Sequence, residues 1–193
     1  MLPSNLHKDT ITKFLSERTE DSVRLRLAKL DDSQFLLGLR LDPSRNQNIS
    51  ETNGELGAQL SWMEAYEMRE FEGKEAYFVI EVDGLPSGCL RLYDYRISAN
   101  SFSWGSWIIK PGVPPTTAYQ SAILIYDLAF GALRFSKSHF DVRKANVSVW
   151  RFHEKMGAKM VHEDTQNRFY EYAIEDYRSA RRRLQKFTQS RDF

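Results

Sequence analysis

The residues with the clearest chemical capacity lie between positions 141 and 158, in the run DVRKANVSVWRFHEKMGA. It reads as a strand, a turn and a short helix, with Asn146 where an N-cap belongs and Gly157 where a C′ glycine belongs. Helical spacing puts Val149, Phe152, His153 and Met156 on one face. A histidine on such a row is either a packed core residue or a proton donor or acceptor at a pocket wall. Its unperturbed pKa, about 6.5, suits proton transfer near neutrality. A second place is the start of TTAYQSAILIYDLAFGALRF. The hydroxyls of Thr116 and Thr117 can accept backbone N–H bonds there, and the free N–H groups and positive dipole end form an anion site suited to phosphate. The plainer alternative is a capped helix without a ligand. Gly112 permits close backbone approach, whereas Pro114 and Pro115 remove two donors.

Other chemistries are disfavoured by what is missing. The sequence holds one cysteine, Cys89, so no disulfide can close within the chain and no cysteine-based metal site can form. Cys89 falls inside a hairpin strand and reads as a small packed residue. Four histidines with no HxxxH pair give no metal signature. Lys and Arg total 27 against 26 Asp and Glu, a net charge of +1 that argues against a dedicated nucleic-acid binder. The start MLPSNLHKDTITKFLSERTED lacks the apolar core of a signal peptide, and no run approaches the roughly 18 apolar residues of a membrane span. The cysteine usage fits a reducing, cytoplasmic setting.

Several elements must position these groups. VRLRLAK alternates as a strand, and LDDSQFLLGLRLDP reads as a short helix stopped before Pro43. LGAQLSWMEAYEMREFEG places Leu56, Leu60, Met63 and Tyr66 or Glu67 near helical spacing. Two apolar runs flank Asp83-Gly84, a hairpin signal, and SFSWGSWIIK follows as a third strand. The helix from Thr117 has so broad an apolar face that it must be largely buried. AKMVHED and RFYEYAI close the pattern as an antiparallel pair. The order β-α-α-β-β-β-α-β-α-β-β predicts an α/β (α+β) fold: a mixed, mostly antiparallel sheet with a central βαβ crossover and helices on both faces. Residues 1–20 read as an N-terminal extension with a turn of amphipathic helix around Ile11, Phe14 and Leu15. Residues 21–176 form the domain, and 177–193 a basic helical tail.

The run N-x-x-V-x-x-F-H-E-K-M-G-A resembles the last motif of the Gcn5-related N-acetyltransferases, and the order of elements matches that family from about Val23 to Ile174. The resemblance implies direct acyl transfer from acetyl-CoA to a primary amine, without a metal or a covalent intermediate. By position, Trp107, Ile108 and Ile109 would hydrogen-bond the pantetheine arm through their backbone. Gly112, Val113, Thr116, Thr117, Ala118 and Tyr119 would cradle the pyrophosphate. Asn146 would contact the pantetheine amides, and Phe152 would lie beside the thiol. His153 stands where the family commonly has a tyrosine, the acid that protonates the leaving thiolate. PGVPPTTAY departs from the family's R/Q-x-x-G-x-G/A loop. Glu81 and Asp94 are candidate bases only if the sheet points them inward; otherwise they are solvated edge carboxylates.

The family builds its acceptor pocket partly from the segment represented here by LRLDPSRNQNIS. Arg40, Asn46 and Asn48, with Arg45 and Gln47, supply donors suited to phosphates, sugar hydroxyls or a peptide backbone. The texture of SFSWGSWII, YDLAF, FDVRKAN and FHEKMGA resembles enzymes that acetylate amino sugars on nucleotide carriers. Two other readings stay open: an acetyltransferase of protein N-termini, and a catalytically degenerate CoA-binding module. The expected partner is a small-molecule amine, possibly nucleotide-linked, rather than nucleic acid or membrane. The edge strand and apolar helix faces permit a homodimer.

Overall fold

The computed structural model of the protein describes residues 4–44 and 52–188. Helices α1 (Ser4–Glu17), α2 (Ser33–Leu41), α3 (Leu56–Phe71), α4 (Thr117–Tyr126), α5 (Val147–Met156) and α6 (Ile174–Thr188) flank one sheet. Its strands are β1 (Val23–Leu27), β2 (Ala76–Val82), β3 (Leu85–Arg96), β4 (Ser101–Ile109), β5 (Lys137–Arg143), β6 (Lys159–Glu163) and β7 (Asn167–Ala173). They lie in the order β1-β2-β3-β4-β5-β7-β6, antiparallel throughout except for the β4–β5 pair. The expected meander, crossover and closing pair are all present.

Alternating side chains divide β4 between two cores. Ile108 joins Leu36, Leu39, Met63, Tyr66, Tyr77, Val79 and Cys89 beneath α2 and α3. Trp104, with Trp107 and Ile109 packed at the margin, belongs to the larger core on the opposite face, which holds Tyr126, Phe140, Met156 and Tyr177. Asp83 (φ 51°) and Gly84 (φ 78°) turn the β2–β3 hairpin in the left-handed region, as an Asp-Gly turn requires. Gly88 has a different reason to be glycine: a Cβ there would stand 2.5 Å from the Ile108 carbonyl oxygen.

Three elements differ from expectation. The N-terminal helix runs 14 residues rather than one turn, and it seats Ile11 in the larger core with Phe14 and Leu15 against it. The inward row of α3 is Gln59, Met63, Tyr66 and Glu70, whereas Leu56 is exposed. The face rotates because the buried Tyr66 hydroxyl takes a hydrogen bond from the Tyr77 N–H at 2.9 Å and donates to the Glu70 carboxylate. The long apolar helix after β4 is α-helical only to Tyr126. It then widens into a π-turn over Asp127–Ala132, with the Leu133 N–H donating to the Leu128 carbonyl at 2.9 Å.

Candidate functional site

The parallel pair β4–β5 is joined only at Ser101↔Lys137 and Phe102↔Ser138. Both strands run on, to Ile109 and Arg143, so beyond Phe102 they part and a V-shaped groove opens between them. A β-bulge in β4 adds to the splay. Cys89 faces Ile108 but Arg91 faces Gly105, and Ser106 lies at φ 49°. One residue of β4 is thereby left out of the ladder at the mouth of the groove. The groove, about 500 Å³, is lined by Trp104, Ser106, Trp107, Ile108, Asp141 and Asn146 among others, with His153 on its wall.

His153 faces inward, as the helical row predicted, and is 5% exposed. Its ring centroid lies 4.3 Å from Phe140, 5.4 Å from Trp104 and 5.5 Å from Phe152. Nδ1 is buried without a partner, which leaves Nε2 as the ring nitrogen that meets the groove. With no carboxylate beside it, burial alone pushes its pKa down to about 3. The imidazole is therefore neutral near neutral pH, whereas the acid expected from the resemblance must carry an extra proton.

The loop at the base of β4 turns through Gly112 at φ 85°. The Thr117 N–H is taken by the Pro114 carbonyl at 2.9 Å. Among the described residues the N–H groups of Gly112, Thr116, Ala118 and Tyr119 donate no hydrogen bond, whereas that of Val113 closes the turn at 111–112, so four main-chain donors remain despite Pro114 and Pro115. The expected hydroxyl cap is absent. Thr116 stands at the N-cap position in αR geometry without a side-chain cap bond, because a cap needs extended backbone there. The Thr117 hydroxyl is buried and unpartnered. Asn146 likewise opens α5 without a side-chain cap bond, and its Oδ1 instead lies 3.4 Å from the Ser148 hydroxyl. Phe152 packs at a tilt between Trp107 (5.0 Å) and Tyr119 (4.9 Å), linking α5, β4 and the start of α4 in one aromatic row.

A second pocket, also about 500 Å³, lies on the α2–α3 side, lined by Asn53, Gln59, Trp62 and Tyr77 among others. Arg40, Arg91 and Ser106 border both spaces, so the two form one trough. Arg40 was expected here; Asn46 and Asn48 lie outside the described residues. Sequence reasoning missed Arg91, Ser106, Trp104 and Asp141. Arg91 sits in a strand, where alternation places a residue on a face but not in a pocket. The bulge at Ser106 leaves no residue-type signal. Glu81 is buried beneath Arg24 and Arg26, and Asp94 pairs with Arg96 and His139, so neither lines the groove. Cys89 is fully buried, and burial pushes its thiol up to about 11.

No family model matches the chain, and no curated protein matches it. Among solved structures, the apo form of FdhC, a nucleotide-linked sugar GNAT, shares 37% identity over 86% of this chain and 94% of its own, with a TM-score of 0.79. Mycobacterium smegmatis RimJ in complex with CoA-disulfide shares 17% identity over 85% of this chain and 88% of its own, TM-score 0.70. A mutant of the spermidine N-acetyltransferase SpeG from Vibrio cholerae shares 18% over 83% and 99%, TM-score 0.68. At those lower identities the likeness is one of fold.

Proposed function

Because the chain belongs to the Gcn5-related N-acetyltransferases, we propose that it transfers the acetyl group of acetyl-CoA directly to the amine of a sugar carried on a nucleotide. The observation that carries the acceptor class is the charge of the trough. The α2–α3 pocket is bordered by two arginines, Arg40 and Arg91, and by no carboxylate among the described residues. Asp141 is the one carboxylate among the described residues of the β4–β5 groove, which Arg143 also lines. A nucleotide-linked amino sugar has matching poles, an ammonium at one end and a diphosphate at the other. A polyamine would set its cations against the two guanidinium groups, and a peptide N-terminus offers no matching anion. The 37% identity to a nucleotide-linked sugar GNAT supports the same reading.

Acetyl-CoA supplies the acetyl group as a thioester. The four undonated N–H groups of Gly112, Thr116, Ala118 and Tyr119 suit its diphosphate, and the uncovered edge of β4 at Trp107, Ile108 and Ile109 suits its amide arm. Asn146 borders the same space, and Phe152 supports it through Trp107. The bulge at Ser106 frees main chain where a carbonyl oxygen gains charge; one such donor is typically worth about 3 kcal/mol. We assign His153 the role of a neutral wall residue whose Nε2 hydrogen-bonds and orients the reacting groups. Asp141 attracts the ammonium, which gives one proton to water before attack; the new C–N bond replaces the C–S bond, and the amine's second proton leaves with the CoA thiol.

A thiol-release assay tests the reading with nucleotide-linked amino sugars, N-terminal peptides and polyamines as acceptors. Turnover should be confined to the linked sugars. Turnover confined to peptides or polyamines overturns the acceptor class, and no thiol release with any amine favours a degenerate CoA-binding module.

A further inference from the structure

Arg91 is held by a carboxylate and two aromatic rings. Its Nε is buried without a hydrogen bond and lies 3.8 Å from Glu75 Oε2. Its guanidinium carbon stands 4.7 Å from the centroid of the Tyr93 ring and 5.5 Å from that of Trp62. Trp62 is fixed in turn: it lies parallel to Tyr66, centroids 6.0 Å apart, and carries the Arg69 guanidinium at 5.2 Å. Arg69 donates to Glu75 Oε1 at 2.8 Å, so one buried carboxylate steadies both arginines. With two guanidinium groups over its ring, Trp62 serves as part of the mount rather than as a platform for a base.

What this mount presents is a pair of terminal nitrogens. Arg91 donates no hydrogen bond among the described residues, and its side chain, 22% exposed, borders both halves of the trough. A fork held in place with its donors unspent matches two oxygens of a phosphate. Orienting it in advance lowers the entropy lost on binding. Its position at the junction sets the anion on the α2–α3 side while the amine reaches the groove beside Asp141 and His153.

We propose that Arg91 is the residue that reads the acceptor's carrier: its guanidinium pairs with the diphosphate and makes the enzyme prefer nucleotide-linked amino sugars over the same sugars unlinked. This rests on the acceptor reading above and adds the group that enforces it. The test is steady-state kinetics of the full chain with acetyl-CoA, using a uridine- or thymidine-diphosphate-linked amino sugar and the same sugar unlinked. Wild-type kcat/KM should favour the linked form by about 100-fold or more, the scale of a charge-assisted bidentate contact with its neighbours. Arg91→Ala should cut that preference by roughly 10- to 100-fold, mainly through KM, and Arg91→Lys should restore part of it because charge survives without the fork. Should the variants fold poorly, wild-type inhibition serves instead. Uridine diphosphate should compete with the acceptor at least about 10-fold more tightly than uridine does. Equal use of linked and unlinked sugars, an unchanged preference in Arg91→Ala, or equal inhibition by uridine and its diphosphate overturns the inference. A wild-type enzyme that uses only a polyamine or a peptide overturns the acceptor reading itself, and the role of Arg91 falls with it.

Discussion

His153 is walled by aromatic rings, and its protonation state follows from that surrounding alone. Desolvation disfavours imidazolium, so the folded pKa falls below the unfolded value, about 6.5. The sign follows: the unfolded chain takes up a proton that the folded chain refuses. The stability present above pH 6.5 is therefore lost progressively as pH falls toward about 3. Wild-type stability should decline more steeply over that window than that of His153→Gln, by up to roughly 1.4 kcal/mol per pH unit. Urea melts at pH 7, 5.5 and 4.5 measure the difference, and equal slopes would mean that the ring is hydrated. In catalysis, His153→Ala should lower kcat by about 10- to 100-fold while acetyl-CoA binding, followed by calorimetry, changes less. If binding falls and turnover per bound complex does not, His153 only packs. Helical spacing was enough to point His153 inward. The strength of its burial depends on Trp104 and Phe140, which are distant in sequence.

Strand pairing explains which parts of the site could be read and which could not. Alternation, the Asp83-Gly84 turn and the α5 motif from Asn146 to Gly157 are local signals, and each element they mark is present. The parting of β4 from β5 and the bulge at Ser106 are not local. They depend on register between strands, and no residue type announces them. The face of α3 escaped for a related reason, since a buried Tyr66–Glu70 pair outweighs the apolar Leu56. Gly88 is where this geometry can be tested. Its missing side chain lets β3 approach the Ile108 carbonyl, and a Cβ would sit 2.5 Å from that oxygen. The atom struck is backbone, which cannot rotate aside. Gly88→Ala should destabilise the fold by about 1–3 kcal/mol in denaturant melts. It should also weaken acetyl-CoA binding by shifting β4 at the groove, and an unchanged melt would mean that β3 and β4 separate there at little cost.

Across the whole molecule, the reaction proposed above would draw on both faces of the sheet. The groove proposed for acetyl-CoA opens between β4 and β5, the pocket proposed for the acceptor lies against α2 and α3, and they join at Arg40, Arg91 and Ser106. Such a trough can hold both substrates at once, and placing amine and thioester in contact supplies much of the barrier reduction. A route through an acyl-enzyme would need an activated nucleophile at the junction, and no base hydrogen-bonds the Ser106 hydroxyl there among the described residues. Cys89, the only thiol, is fully buried, hydrogen-bonded to the Ser106 carbonyl at 3.3 Å, and held protonated by a pKa near 11. A sequential mechanism is thus expected: double-reciprocal plots against each substrate should intersect, and Cys89→Ala should keep its turnover once thermal stability is matched. Parallel lines, or trapping of an acetylated protein when acetyl-CoA is supplied without acceptor, would show that the two halves of the trough work in turn rather than together.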